Sequence, residues 1–65
     1  IEALRSDYDK VRYYAAKGLG NMGYAPALDI LRFKASHDSS EAVRLEAERA
    51  LSSIEDSEVN HGAHQ

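Results

Sequence analysis

Two groups of residues have spacings that could support chemistry. His61 and His64 are three residues apart, so on a helix both imidazoles could bind one metal ion. Gly62 lies between them in a polar stretch with no third ligand nearby, so a flexible tail without a metal is the better interpretation. The string GLGNMG at 18–23 satisfies the GxGxxG pattern of phosphate-binding loops, but it ends a predicted helix instead of following a strand. We therefore expect neither a metal nor a cofactor.

The acidic, histidine and serine residues do not predict a catalytic arrangement. Glu46 and Glu48 are two residues apart, so they cannot share a helix face as a carboxylate pair. His37 stands alone before an aspartate and is interpreted as a loop residue, with no serine or cysteine beside it in a recognisable nucleophile motif. The sequence therefore predicts a protein that is not an enzyme.

The composition favours a folded, soluble chain. Of its 65 residues 43% are hydrophobic and 29% are charged, which lies outside the range of intrinsically disordered proteins. No apolar run approaches the length of a membrane span. Cysteine is absent, so disulfides and thiolate metal ligands are excluded, and we expect a cytoplasmic location.

The charge distribution argues against nucleic acid as a partner. The net charge is −3, and most acidic side chains lie in residues 37–65, where Arg44 and Arg49 are the only basic ones. A protein that binds nucleic acid needs a basic stripe that replaces the counterions of the phosphates. We therefore expect another protein, or neighbouring repeats of a longer chain, as the partner.

Internal repetition is the strongest signal in the sequence. The string VRYYAAKGLGNM at 11–22 aligns with VRLEAERALSSI at 43–54 at an offset of 32 residues, close to the period of helix-pair solenoids. The sequence predicts an all-α helical-hairpin solenoid fragment of about three to four helices within residues 1–54. The predicted elements are the end of a preceding B helix at 1–6, helix A at 9–22, helix B at 26–36, helix A of the next repeat at 41–54, and a disordered polar tail at 55–65.

Each predicted A helix has an apolar stripe that should face the core. Steps of three and four residues bring such side chains to one helical face. The stripe of the first A helix is Val11, Tyr14, Ala15, Gly18, Leu19 and Met22, and that of the second is Val43, Ala47, Ala50, Leu51 and Ile54. Gly18 and Ala50 align with each other, so we expect these two small residues to admit a close approach of helices.

The repeated strings resemble a known family. Residues 38–51 read D-x-x-x-A-V-R-x-x-A-x-x-A-L and residues 9–20 read DKVRYYAAKGLG, which resembles the A-helix signature of HEAT repeats, in particular the short HEAT-like repeats named after phycobilisome lyases. The resemblance implies a right-handed stack of helix pairs whose B helices form an inner protein-binding surface. It also implies a polar ladder between repeats, formed by an aspartate before the A helix and an arginine six residues later.

Asp38 and Arg44 fit the spacing of that ladder. In the first repeat the corresponding arginine is Arg12, but the acids before it depart from the pattern, because Asp7 lies five residues upstream and Asp9 only three. The role of Arg12 and the identity of its acidic partner therefore stay open at this point.

The predicted B helix offers a candidate contact surface. A rotation of 100° per residue gathers Ala27, Leu28, Leu31 and Ala35 on one side and leaves Asp29, Arg32 and Phe33 on the flank. Arginine beside an aromatic residue is typical of binding hot spots. Tyr13, opposite the stripe of the first A helix, is a further candidate contact. Packing against a neighbouring repeat would also explain Phe33 and Tyr13.

The sequence therefore favours a protein–protein interaction scaffold or adaptor built of HEAT-like repeats. One alternative, implied by the resemblance, is a non-catalytic or chaperone-like part of an enzyme assembly such as a bilin lyase. A second alternative is a structural end cap of a longer solenoid. Because the second A helix has no following B helix, we also expect an exposed apolar edge through which the chain could associate with itself.

Overall fold

The computed structural model describes the backbone of residues 1–63 and the side chains of residues 1–57. Every regular element in that part of the chain is helical, so the predicted all-α class is confirmed. The elements are a 3₁₀ turn at Glu2–Arg5, helix α1 at Asp9–Met22, a second 3₁₀ turn at Ala25–Ala27, helix α2 at Leu28–His37 and helix α3 at Glu41–Ala63. The predicted pair His61 and His64 lies outside the described side chains.

Local hydrogen bonds set the end of α1 and the start of α3. Gly23 follows α1 in the left-handed conformation, with φ 67°, and the Tyr24 N–H donates to the Leu19 carbonyl at 3.1 Å. This is the pattern of a Schellman cap, which glycine adopts without a steric penalty. At the start of α3, Ser40 Oγ accepts the Val43 N–H at 3.3 Å, so Ser40 is the N-cap.

Helix α3 continues well beyond residue 54, where the apolar stripe suggests an end. Ile54 is fully buried, and the Ser57 side chain still lies against the α1–α2 turn, 3.5 Å from where a Cβ on Gly23 would stand. That contact lies three residues beyond the predicted end of the helix, and α3 runs through Ala63. The predicted tail therefore begins as part of α3, and residues 64 and 65 lie beyond the described backbone. At the other end, residues 2–5 form a single 3₁₀ turn.

The core forms where α3 packs against both α1 and α2. It consists of Leu4, Ala16, Ala27, Leu31, Ala47, Ala50 and Ile54. The stripe predicted for the second A helix is largely right, since Val43 is fully buried together with Ala47 and Ile54, while Leu51 is half-buried.

The stripe predicted for the first A helix is only partly right, because Ala15 and Leu19 pack against the core but its bulkiest residues do not. Val11, Tyr14 and Met22 are 42%, 64% and 71% exposed, whereas the buried side of α1 carries Arg12, Ala16 and Gly20. The bulky residues suggested one face, but α3 covers the side with small residues at steps of four. Helix α3 packs on that side because small side chains allow two helix backbones to approach closely. The prediction failed because periodicity alone does not reveal which side of a helix a neighbour occupies.

The glycine at the α1–α3 contact is Gly20, not Gly18. A Cβ added to Gly20 would stand 2.8 Å from the Ala50 Cα and 2.9 Å from its Cβ, whereas a Cβ on Gly18 would meet nothing within 4 Å. Ser53 strengthens the same contact, because its hydroxyl donates to the Gly20 carbonyl at 3.0 Å. Ala50 thus admits the close approach that was expected of it, whereas on α1 this role belongs to Gly20 and not to the predicted Gly18.

The two glycines should respond oppositely to the same substitution. We expect Gly20→Ala to lower the free energy of unfolding by about 1–3 kcal/mol, because the new methyl group forces α1 and α3 apart. Gly18→Ala is the matched control and should raise stability by up to about 1 kcal/mol, since alanine is the better helix former and the space is open. Urea unfolding followed by circular dichroism measures both. Equal midpoints for the two variants would contradict the assigned contact.

Candidate functional site

A buried ion pair joins the first repeat to the second. Arg12 Nε donates to Asp38 Oδ2 at 2.9 Å, and Arg12 Nη2 donates to Asp38 Oδ1 at 3.1 Å. Both side chains are buried. Such a bidentate contact fixes both the position and the orientation of the guanidinium, so the pair aligns α1 with the start of α3.

The surroundings of the pair favour its charged form. Burial would raise the pKa of Asp38, but the hydrogen bonds from Arg12 and from the Ser40 N–H, with the charges of Arg12 and Lys34, hold this pKa below the ordinary value. The hydrogen bond to Asp38 raises the pKa of Arg12. Lys34 Nζ lies 3.9 Å from Asp38 Oδ2 and adds a second positive charge. Asp38 is therefore ionised at neutral pH.

Arg12 and Arg44 make the same contact in successive repeats. Arg12 Nη1 donates to the Ser6 carbonyl at 2.8 Å, and Arg44 Nη1 donates to the Asp38 carbonyl at 2.6 Å, in each case six residues upstream. The structure thus brings together the three residues expected in the ladder, Asp38, Arg44 and Arg12. Asp38 accepts from one arginine through its side chain and from the other through its backbone.

The counterpart of Asp38 in the first repeat is Ser6, which the sequence reasoning missed. The Tyr8 N–H donates to Ser6 Oγ at 3.1 Å, just as the Ser40 N–H donates to Asp38 Oδ1 at 2.9 Å. Neither Asp7 nor Asp9 takes this place. The 32-residue offset could have identified Ser6, because it relates position 6 to position 38. Because serine has no carboxylate, the first repeat presents no acid at this step of the ladder.

Three of the predicted contact residues lie on the exposed side of α2. Arg32 bridges two carboxylates, with Nη1 3.1 Å from Asp29 Oδ1 and Nη2 3.3 Å from Glu55 Oε2. Phe33 is 58% exposed, and its ring stacks on that of His37 with centroids 4.6 Å apart and planes inclined by 18°. We call Asp29, Arg32, Phe33 and His37 the α2 surface.

Two residues that contact Phe33 and Arg32 were not predicted from the sequence. His37 is the last residue of α2, not a loop residue, and its Nδ1 lies 3.3 Å from the Phe33 carbonyl. The spacing of four residues between positions 33 and 37 could have revealed the stack, since such residues are neighbours on a helix. Glu55 belongs to the part of α3 beyond the predicted end of the helix.

The fourth predicted contact residue, Tyr13, lies elsewhere. It is half-buried on α1, and its ring packs edge-to-face on Tyr14 at a centroid distance of 5.0 Å. The two rings line an open groove of about 440 Å³ near the starts of α1 and α3, together with Asp9, Lys10, Ser40 and Ala42. Tyr13 is therefore not part of the α2 surface.

Comparison with known proteins decides the family. A profile of HEAT repeats matches residues 1–60, nearly the whole chain. The chain belongs to the HEAT repeat family. No curated protein and no solved structure matches it. The phycobilisome-lyase subtype stays a prediction, because the matching profile describes HEAT repeats in general.

The family match concerns all three helices. The match covers α1, α2 and most of α3, and the assignment of these helices as A, B and the next A stays a prediction. HEAT repeats generally mediate contacts between proteins and serve as non-catalytic scaffolds. In the described residues, none of the helices is both long enough and apolar enough to cross a bilayer.

Proposed function

We propose that this HEAT module is a scaffold or adaptor that binds a protein partner through the α2 surface. The observation that carries the proposal is the exposed ring of Phe33 beside Arg32 on α2. Aromatic and arginine side chains contribute a large share of the binding energy in protein interfaces once a partner excludes water.

The contacts within the α2 surface support a binding role because they order it in advance. The stacking of Phe33 on His37 restricts the Phe33 ring, and the two carboxylates beside Arg32 restrict its guanidinium. Ordering a flexible side chain on binding costs about 0.5–1.5 kcal/mol, so residues already held in place lose less on association. The surface also combines an exposed apolar ring with charges of both signs. This suits a partner surface on which an apolar residue is surrounded by polar residues.

Substituting Phe33 tests the proposal. We expect Phe33→Ala to weaken binding of a protein partner at least tenfold, because a hot-spot residue contributes about 2 kcal/mol or more. Leu45→Ala is the matched control, since Leu45 is 54% exposed but lies on α3. The assay is affinity capture from the native source followed by titration of the captured protein, with circular dichroism to verify the fold.

Three results bear on the proposal. A protein that the parent chain and Leu45→Ala retain, but Phe33→Ala loses without a change in melting temperature, would support the α2 surface. A protein retained equally by all three would exclude Phe33 from the site. A Phe33→Ala variant with a lowered melting temperature would assign the ring to packing instead.

A second candidate function is that of an end cap for a solenoid. At the 32-residue offset, Glu48 and Ser52 take the places of Ala16 and Gly20, which α3 buries in the first repeat. Glu48 and Ser52 are exposed, so α3 turns a polar side outward where a further repeat would need small residues. Terminal repeats with a polar outer face are typical caps. If the Glu48→Ala, Ser52→Gly variant stacked no further than the parent chain in sedimentation, this role would be contradicted.

A further inference from the structure

One row of side chains on α2 faces away from the core. Asp29, Phe33 and His37 follow one another at steps of four residues, so they are neighbours along one face of the helix, and all three are exposed. Phe33 lies two residues after the fully buried Leu31, which places it about 160° around the helix from the core. Helix pairs in a repeat array contact their neighbours laterally, so this row stays open whether or not further repeats flank the chain.

The charges beside this row favour a cation. Arg32 contacts Asp29 Oδ1 through Nη1 and Glu55 Oε2 through Nη2, so one positive charge faces two carboxylates and one negative charge is left over. The Asp29 side chain is fully exposed, and within the part of the chain whose side chains are described no hydrogen bond reaches its Oδ2. Lys34 lies beside Asp38 and is only 16% exposed. A cationic group of a partner is therefore attracted here, and an anionic group meets Asp29.

The Phe33 ring offers a second contact for a cation. His37 stacks on one face of the ring, and the 58% exposure of Phe33 leaves its other face open. An aromatic face attracts a guanidinium or ammonium group that lies within about 6 Å of the ring centroid. Asp29 is one helical turn away on the same face of α2, so a cation on the ring lies within reach of its carboxylate.

We propose that the partner of the α2 surface presents an arginine side chain, which stacks on the open face of Phe33 and donates a hydrogen bond to Asp29 Oδ2. Arginine fits better than lysine, because its planar guanidinium can lie flat on an aromatic ring while its edge donates to a carboxylate. The net charge of −3 attracts the same kind of partner at longer range. This inference rests on the proposed function, since it names the chemistry of the partner at the same surface.

A peptide titration tests the preference for a cation. The probes are three capped peptides, Gly-Leu-X-Leu-Gly, in which X is arginine, glutamine or glutamate, and binding to the full chain is followed by two-dimensional NMR. We expect the arginine peptide to bind about two- to fivefold more tightly than the glutamine peptide, the usual range for exposed charge and cation–π contacts, and the glutamate peptide to bind most weakly. Equal dissociation constants for the arginine and glutamine peptides, or binding of neither, would overturn the proposal.

Two substitutions locate the preference on the surface. Phe33→Leu removes the ring but keeps an apolar side chain, and Asp29→Asn keeps the shape but removes the charge. Each should bring the dissociation constants of the arginine and glutamine peptides closer together. Asp9→Asn is the matched control, because it removes the charge of an exposed aspartate on α1 and should leave the preference unchanged. Circular dichroism verifies that each variant folds. An equal loss of preference in Asp9→Asn would reveal a general effect of net charge and reject the assigned site.

The outcomes separate this inference from the proposed function. If a captured protein depends on Phe33 while the arginine and glutamine peptides bind equally, the arginine contact is wrong and the α2 surface still binds a partner. If the arginine preference depends on Phe33 and Asp29 but no captured protein depends on Phe33, the contact stands and the proposed function fails.

Discussion

Replacing Leu31 with alanine is expected to lower the free energy of unfolding by about 2–5 kcal/mol, the usual cost of truncating a buried leucine. Leu31 is fully buried on α2 and belongs to the core that α3 covers. A chain of this length has a total stability of about 3–10 kcal/mol at the usual contribution per residue. The single substitution should therefore remove a large part of the stability.

Urea unfolding at 25 °C, followed by the helical signal in circular dichroism, measures the loss. Leu45→Ala deletes the same atoms at an exposed position and should change stability by less than about 0.5 kcal/mol. Leu19 and Leu51 are only half-buried, so alanine at either should cost less than at Leu31. If Leu31→Ala and Leu45→Ala unfolded at the same urea concentration, the assigned core would be wrong.

Replacing Asp38 with asparagine should have the second-largest effect. The change keeps the shape of the side chain but removes the charge that Arg12 contacts through two hydrogen bonds. Hydrogen bonds to charged groups contribute about 1.5–3 kcal/mol, so we expect a loss of that order. Asp29→Asn is the control, because Asp29 also contacts an arginine but is fully exposed, and its loss should cost less than about 0.5 kcal/mol. Equal losses would show that burial of the Arg12–Asp38 pair adds nothing.

The Arg12–Asp38 pair also predicts the direction in which the free energy of unfolding changes with pH. The pKa of Asp38 is lower in the folded chain than its ordinary value, so the unfolded chain binds a proton more readily. The stabilisation is therefore complete above about pH 4, the ordinary aspartate range, and is lost as the pH falls toward the folded pKa. The difference in unfolding free energy between the parent and Asp38→Asn should be constant near neutral pH and shrink below about pH 4. A difference that is independent of pH down to acid would contradict the pairing.

The features that follow from local sequence could be predicted. Helical spacing and the 32-residue offset indicated an all-α repeat, because both depend only on which residues recur along the chain. The buried side of α1 could not be chosen this way. Its Ala16 and Gly20 are buried because α3 lies there, and that information resides in α3, some thirty residues away. The bulky residues of the opposite side, such as Tyr14, misled the assignment because they resemble a core in one isolated helix.

In the candidate site, too, the features set by local sequence could be predicted and the contacts between helices could not. The helical rotation placed Asp29, Arg32 and Phe33 on the flank of α2, and all three are exposed. The ion pair between Arg32 and Glu55 could not be predicted from the rotation of one helix. Glu55 belongs to α3 and lies beyond the end of the helix that its apolar stripe suggested. Ser6 was missed for a different reason. A serine does not match an acidic ladder by type, and only its hydrogen bonds to Tyr8 and Arg12 show that it takes the same place.

The contact of Gly20 with Ala50 bears on the curvature of any array that contains this repeat. Repeat arrays bend because each unit is rotated slightly relative to the last. Gly20 brings α1 and α3 closer together than any larger residue would allow. A shorter spacing on the A side, relative to the B side, reduces the bend per repeat. In an array with these helices on its convex side, the residue at this single position would therefore adjust the curvature.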